Sequence, residues 1–193
     1  MFDVLPRLLS RFVDLHPQVK LVLHHDATPA QVTALRQGRV LLVFERMLPN
    51  EPDIEVEMVT RERVVVALHT GHRLAAKKVI DMATLRNEPM IMPAAPLSQL
   101  TNVALDLCRA NGFEPKVAQL ASDVVTGAMM VACGMGMMLV PVSMQNLQLP
   151  NLVYRPLKRQ TNAFMSLHCY YLKAEPSPLL AALLNTIQNF RLA

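Results

Sequence analysis

Arg46 stands one residue beyond an apolar run at residues 40–44, Val-Leu-Leu-Val-Phe. Such a run reads as a strand buried on both faces of a parallel sheet, and ligands gather off the carboxyl ends of such strands. A guanidinium there can grip a carboxylate with two parallel hydrogen bonds. A solvated loop arginine fits the same spacing, and the two readings stay open at this point. Three other positions carry helix-start chemistry. Thr28-Pro29-Ala30-Gln31 has the form of a capping box with proline at the first helical position, and Ser98 and Asp123 each precede an apolar stretch as N-caps.

Other chemistry-bearing residues point away from catalysis. No GxSxG, HExxH, P-loop or kinase motif occurs. Gly134-Met135-Gly136 follows a helix pattern and precedes a strand, the reverse of a dinucleotide loop, and reads as a turn. His24 and His25 end a predicted strand, where neighbours point to opposite faces, so they cannot easily chelate one metal. Cys108, Cys133 and Cys169 form no CxxC and lie in apolar stretches, as expected of buried free thiols. The methionines among residues 129–138 are expected to fill gaps in the core or in a dimer interface. Neither cofactor nor metal is expected.

These residues need a scaffold, and the composition provides for one. The 193 residues are 52% hydrophobic and 18% charged, enough to bury a core as one domain or two small lobes. Apolar runs are broken by glycine or proline well short of a membrane span. The N-terminus shows no signal-peptide succession, so the cytoplasm is expected. A net charge of +4 comes from scattered basic residues, and Lys77-Lys78 and Lys158-Arg159 make no groove-shaped patch.

The elements alternate. Residues 3–15 carry apolar residues at helical spacing behind Asp3 as a possible cap, with Pro17 ending the helix. Residues 19–24 alternate as a strand, 28–37 form a helix closed by Gly38, and 40–44 return to the sheet. Two strands, 54–59 and 63–69, precede a helix at 82–86 capped by Asp81. Then come a strand at 89–92, a helix from Ser98 to near Gly112, a strand at 117–120, a helix to Cys133 and a strand at 137–140. Stretches 152–157 and 163–172 lead to a last helix opened by Ser177-Pro178. This order predicts an α/β fold with mostly parallel sheets.

Taken together, Phe2-Asp3-Val4-Leu5-Pro6, His16-Pro17, residues 28–38, Leu68-His69-Thr70-Gly71-His72-Arg73-Leu74, Ala132-Cys133-Gly134-Met135-Gly136 with Val140-Pro141, and residues 149–157 resemble the effector-binding domain of LysR-type transcription regulators. The resemblance runs end to end and is nearest to activators of aromatic-catabolism operons that respond to muconate and related acids. It implies a periplasmic-binding-protein-like fold of type 2, with two lobes joined by two crossing strands and the effector held between them. Lobe I would be residues 1–61 with 165–193, and lobe II residues 62–164. It also implies effector contacts from Thr28, Arg46, Ser98, Gln99, Leu100, Asp123, Val124 and Ser166. Exposed amides at helix starts attract anions, which suits Thr28, Ser98 and Asp123, with a role as caps alone the alternative reading.

Three features depart from the family pattern. The family's first strand, which supplies another effector contact, and its helix-turn-helix domain both precede the point where this sequence starts. In addition, its Asp-x-Gly on the third strand is Leu41-Leu42-Val43 here. The expected function is a non-enzymatic, ligand-responsive switch that forms a homodimer and reads DNA only through the missing module. A free-standing binding protein or an enzyme on the same fold is the alternative. An enzyme would need an acid–base pair or nucleophile, whereas Asp123 and Arg46 suit recognition.

Overall fold

The computed structural model of the chain describes all residues except 26–27, 95–97, 159–162, 175–176 and 192–193, and describes only the backbone of 28, 29 and 191. The elements run α1 (Val4–Leu15), α2 (Thr28–Arg36), β1 (Val43–Glu45), β2 (Ile54–His69), β3 (Pro89–Pro93), α3 (Gln99–Ala110), β4 (Lys116–Ala121), α4 (Val124–Ala132), β5 (Met138–Pro141), β6 (Leu152–Pro156), β7 (Phe164–Leu172) and α5 (Pro178–Arg191). Short 3-10 helices lie at Met82–Leu85 and Val142–Asn146. The chain separates into two compact units, residues 1–61 with 166–193 and residues 62–165, and both boundaries fall inside strands, β2 and β7.

In the first unit the strands are ordered β1, β7, β2. Period-two alternation along β7 divides its side chains between two cores. Leu167 and Cys169 join Leu8 and Phe12 of α1, Val59 of β2 and Leu183 and Ile187 of α5. Tyr170 joins Val32 and Leu35 of α2 with Val43 and Ile54. At the far end of α2, Arg36 reaches Asp53 at 2.7 Å and Glu51 at 2.6 Å, tying the helix to the approach to β2.

In the second unit β5 and β6 both run antiparallel to the latter half of β2, while β3 and β4 form a parallel pair. Met137, just before β5, bridges Met90 of β3 and exchanges backbone hydrogen bonds with Pro89 and Ile91 at 2.8 Å each. This close approach depends on Gly136, whose φ is +155° and where a Cβ would sit 2.8 Å from the Pro89 carbonyl oxygen. Asp81, Ser98, Asp123 and Ser177 all accept backbone N–H bonds at the starts of their helices.

Several expectations from sequence are corrected. Residues 19–25 form no strand, because a period-two pattern makes a strand only against a partner, and Val22 and Leu23 are 64% and 73% exposed. His24 and His25 therefore lie outside any sheet. Residues 40–44 yield only the three-residue β1, which pairs antiparallel to β7. Residues 54–59 and 63–69 are one continuous strand, since Thr60-Arg61-Glu62 contains no turn-forming residue. Parallel pairing does not dominate: among the described ladders only β3–β4 is parallel. Asp3 makes no side-chain cap, and its carboxylate faces Arg7 one turn on. Cys133 is exposed at the end of α4, whereas Cys108 and Cys169 are buried. Met137 and Met138 are core residues, but Met129 and Met135 stand about half exposed.

Two glycines should respond differently to alanine. At Gly127 the added Cβ meets the flexible end of Met138, and alanine is favoured in a helix, so G127A should stay within about 1 kcal/mol of wild type. At Gly136 it meets backbone in a conformation that disfavours side chains, so G136A should lose about 2 kcal/mol, read as a lower urea midpoint.

Candidate functional site

Arg46 directly follows β1, and its Nη1 donates to the carbonyl oxygen of Ser166 on β7 at 3.4 Å. The structure thus brings together two residues singled out in the sequence from positions 120 apart. Antiparallel pairing sets Glu45 opposite His168 and Val43 opposite Tyr170, so these side chains share one face of the sheet. On that face Gln31, in the first turn of α2, donates from Nε2 to Glu45 Oε2 at 3.4 Å, and its Oε1 accepts the Tyr170 hydroxyl. The other Glu45 oxygen accepts the backbone N–H of Arg46 at 2.6 Å. The opening turn of α2 therefore lies over the end of β1. Thr28 is the first residue of α2, and its side chain lies outside the described structure.

Electrostatics here are set by burial next to charge. Desolvation and the nearby Glu45 carboxylate push the Tyr170 hydroxyl up to about 12, so it remains a neutral donor. His168 moves the other way: burial and the positive charge of Arg46 lower it from the usual histidine value. Its Nδ1 is buried without a hydrogen-bond partner.

In the second unit the remaining expected residues gather at the carboxyl edge of β3 and β4, where the Ala94 N–H donates to the Ala121 carbonyl at 2.7 Å. Ser98 Oγ caps α3 by accepting the Thr101 N–H at 3.0 Å and also bonds the Thr101 hydroxyl. Gln99 is half-buried and Leu100 buried in the first turn. Asp123 accepts the N–H groups of Val125 and Thr126 at 2.8 and 2.9 Å and the hydroxyls of Thr126 and Ser122 at 2.7 and 2.9 Å. These bonds, those from Thr126 foremost, hold its carboxyl near 2 against the opposing effect of desolvation. Val124 is half-buried behind it. Two helix starts thus follow one parallel strand pair, each with first-turn amides taken up by its own cap, a hydroxyl at α3 and a carboxylate at α4.

The residues that reading the sequence missed are Gln31, Glu45, His168 and Tyr170. Ser166, His168 and Tyr170 alternate along β7, which marks them as one face, but no local signal joins them to Gln31. A separate cavity of about 400 Å³ in the first unit is lined by Met58, Val59, Thr60, Arg61 and Phe190 and includes none of the expected residues. Among the described residues no cluster of His, Cys, Asp or Glu is placed to hold a metal, and no helix is long and apolar enough to cross a membrane.

Comparison with known proteins places this geometry in context. The family model described as the LysR substrate binding domain matches residues 1–191. The chain is 29% identical to the HTH-type transcriptional regulator BenM of Acinetobacter baylyi over 98% of this chain and 63% of that protein. With the HTH-type transcriptional regulator CatR of Pseudomonas putida it shares 32% identity over 75% of this chain and 50% of CatR. It thus spans between half and two thirds of the length of these relatives. Among solved structures, the BenM effector binding domain with its effector benzoate superposes with a TM-score of 0.84 at 30% identity, covering 97% of this chain and 86% of that one. The LysR family regulator CbnR has the same fold, with a TM-score of 0.90 at 22% identity over 98% of this chain and 66% of CbnR.

The Asp123 cap should matter for stability before it matters for ligands. Because its carboxyl is depressed in the folded state, its contribution is fully present above the usual aspartate range and is lost as pH falls toward 2. D123A should cost about 1 kcal/mol at neutral pH. D123N should remain near wild type there, and thermal melts from pH 7 down to about 2 should show a flatter acid limb for both variants than for wild type.

Proposed function

The chain belongs to the LysR substrate binding domain family, and from that premise we propose that it is the effector-sensing part of a transcription regulator and takes a small carboxylate, aromatic-pathway acids included, at Arg46. The observation that carries this reading is the placement of Arg46 against Ser166 at the end of β1, under the opening turn of α2. A planar guanidinium matches a carboxylate, and the amides of a helix start add positive potential. In the second unit, the capped starts of α3 and α4 supply Ser98, Gln99, Leu100, Asp123 and Val124 as further effector contacts. In the first unit, Thr28 and Ser166 complete the set.

This reading assigns the site recognition rather than a reaction. The Asp123 carboxylate is committed to four donors and depressed in pKa, which makes it a poor proton shuttle at neutral pH. Binding would act as a switch through the ligand's differential affinity for two conformations of a DNA-bound assembly in the cytoplasm. Residues 1–193 themselves would make no operator contact, because their scattered basic residues offer no clustered phosphate-binding face.

Benzoate, the effector named for the related BenM domain, is the first probe. Calorimetric titration should show binding to wild type and at least a tenfold weaker affinity for R46A, the loss of about 1.4 kcal/mol or more expected when a charge-assisted pair is removed. Equal affinities would overturn the assignment.

The same reading includes a homodimer in which α1 of one copy packs antiparallel on α4 of the other. Val13 and Leu15 on α1 and Met129 on α4 are exposed apolar residues that such a pairing would cover twice over. Sedimentation should give a dimer for wild type at micromolar concentration, and M129E should shift it toward monomer.

A further inference from the structure

The buried edge of His168 is unexplained by folding alone. Burying a polar atom without a partner costs about 1–3 kcal/mol, so Nδ1 stands as a deficit that a bound group could relieve. The residue lies two positions from Ser166, whose carbonyl holds Arg46, and about 7 Å along the same face of β7. The ring as a whole is only part-buried, and a half-turn about its Cβ–Cγ bond exchanges its inner and outer edges.

We propose that His168 is a second positive group for the ligand's carboxylate: it takes up a proton from solvent when the carboxylate docks at Arg46, and so couples ligand affinity to pH. The inference rests on the reading of Arg46 as the carboxylate-binding residue.

The charges facing His168 support this coupling. From the β1 side come Glu45, directly opposite, and Arg46. Along its own strand the titratable neighbour is Tyr170, which stays neutral, and from α2 the facing group is the uncharged Gln31. The Glu45 carboxylate accepts from Gln31 and from the Arg46 amide. In the free protein, burial and the Arg46 charge hold the imidazole neutral. A carboxylate on Arg46 cancels that field and offers an acceptor, which raises the imidazole pKa. The bound-state value then exceeds the free one, so the affinity gain is complete below the free pKa, which lies under the usual 6.5, and disappears as pH rises through the bound pKa.

The test is calorimetric titration of benzoate into the full chain between about pH 5.5 and pH 8, where the probe stays ionised and histidine titrates, in two buffers of different ionisation enthalpy. Wild type should bind several-fold more tightly at the acid end, never exceeding tenfold per pH unit, with uptake of a fraction of a proton. H168Q should bind with pH-independent affinity and no proton uptake. On wild type, the imidazole NMR signal absent from H168Q should titrate at higher pH with benzoate than without, a readout that does not depend on the variant's affinity. Wild-type binding that is pH-independent, or an unchanged slope in H168Q, would overturn the role of His168 while leaving Arg46 in place. No benzoate binding by wild type, or unaltered binding by R46A, would overturn the Arg46 reading and this inference with it.

Discussion

The register of β1 against β7 is the constraint on which the first unit depends. Glu45 opposite His168 and Val43 opposite Tyr170 place polar groups and the α2 core on one face, and leave Leu167 and Cys169 for α1 and α5 on the other. Because the side-chain period is two, a one-residue slip of β7 would turn His168 and Tyr170 into the apolar core of α1 and α5 and set Leu167 and Cys169 against Gln31 and Glu45. Burying those polar groups without partners while losing two core side chains would cost several kcal/mol, which makes the register unambiguous. Only three residue pairs define it, so the specificity comes from the packed faces rather than from the hydrogen-bond ladder.

The polar face shows how a buried hydrogen-bond chain coexists with a core. Tyr170 is fully buried, and its hydroxyl is satisfied through Gln31, which passes the connection on to Glu45 and thus to the residue beside Arg46. A chain of this kind fixes the start of α2 over the end of β1. The same chain of bonds sets the Arg46 backbone at the end of β1, so that its guanidinium reaches the Ser166 carbonyl oxygen on β7.

In the second unit the same principle takes a different form. The caps at Ser98 and Asp123 satisfy their own helix starts, so their first role is structural. They also hold two helix N-termini at the carboxyl edge of β3 and β4, and Gly136 allows β5 to close against β3 on the other side of that pair. The packing of the second unit thus draws on a few backbone positions.

The sequence by itself determined what is local. Helices α1, α2, α3, α4 and α5, the caps at Ser98 and Asp123, and the turn at Gly134-Met135-Gly136 follow from 3.6-residue periodicity and side chains that bond amides two or three positions away, all within reach of neighbouring residues. The family was legible for a related reason: many loose motifs kept their order over residues 1–191. Tertiary structure decided whatever needed a distant partner. Residues 19–24 have a strand pattern but no ladder, β1 is short and antiparallel, and the polar break at Thr60-Arg61-Glu62 does not interrupt β2. Strand identity depends on a neighbour that the local pattern does not contain. The Gln31–Tyr170 bond joins residues 139 apart, and the isolation of His168 Nδ1 emerges only once both faces of β7 are packed. Spacing can mark which residues share a face, but which of them finds a partner there is settled by the strands and helices that the folded chain sets against it.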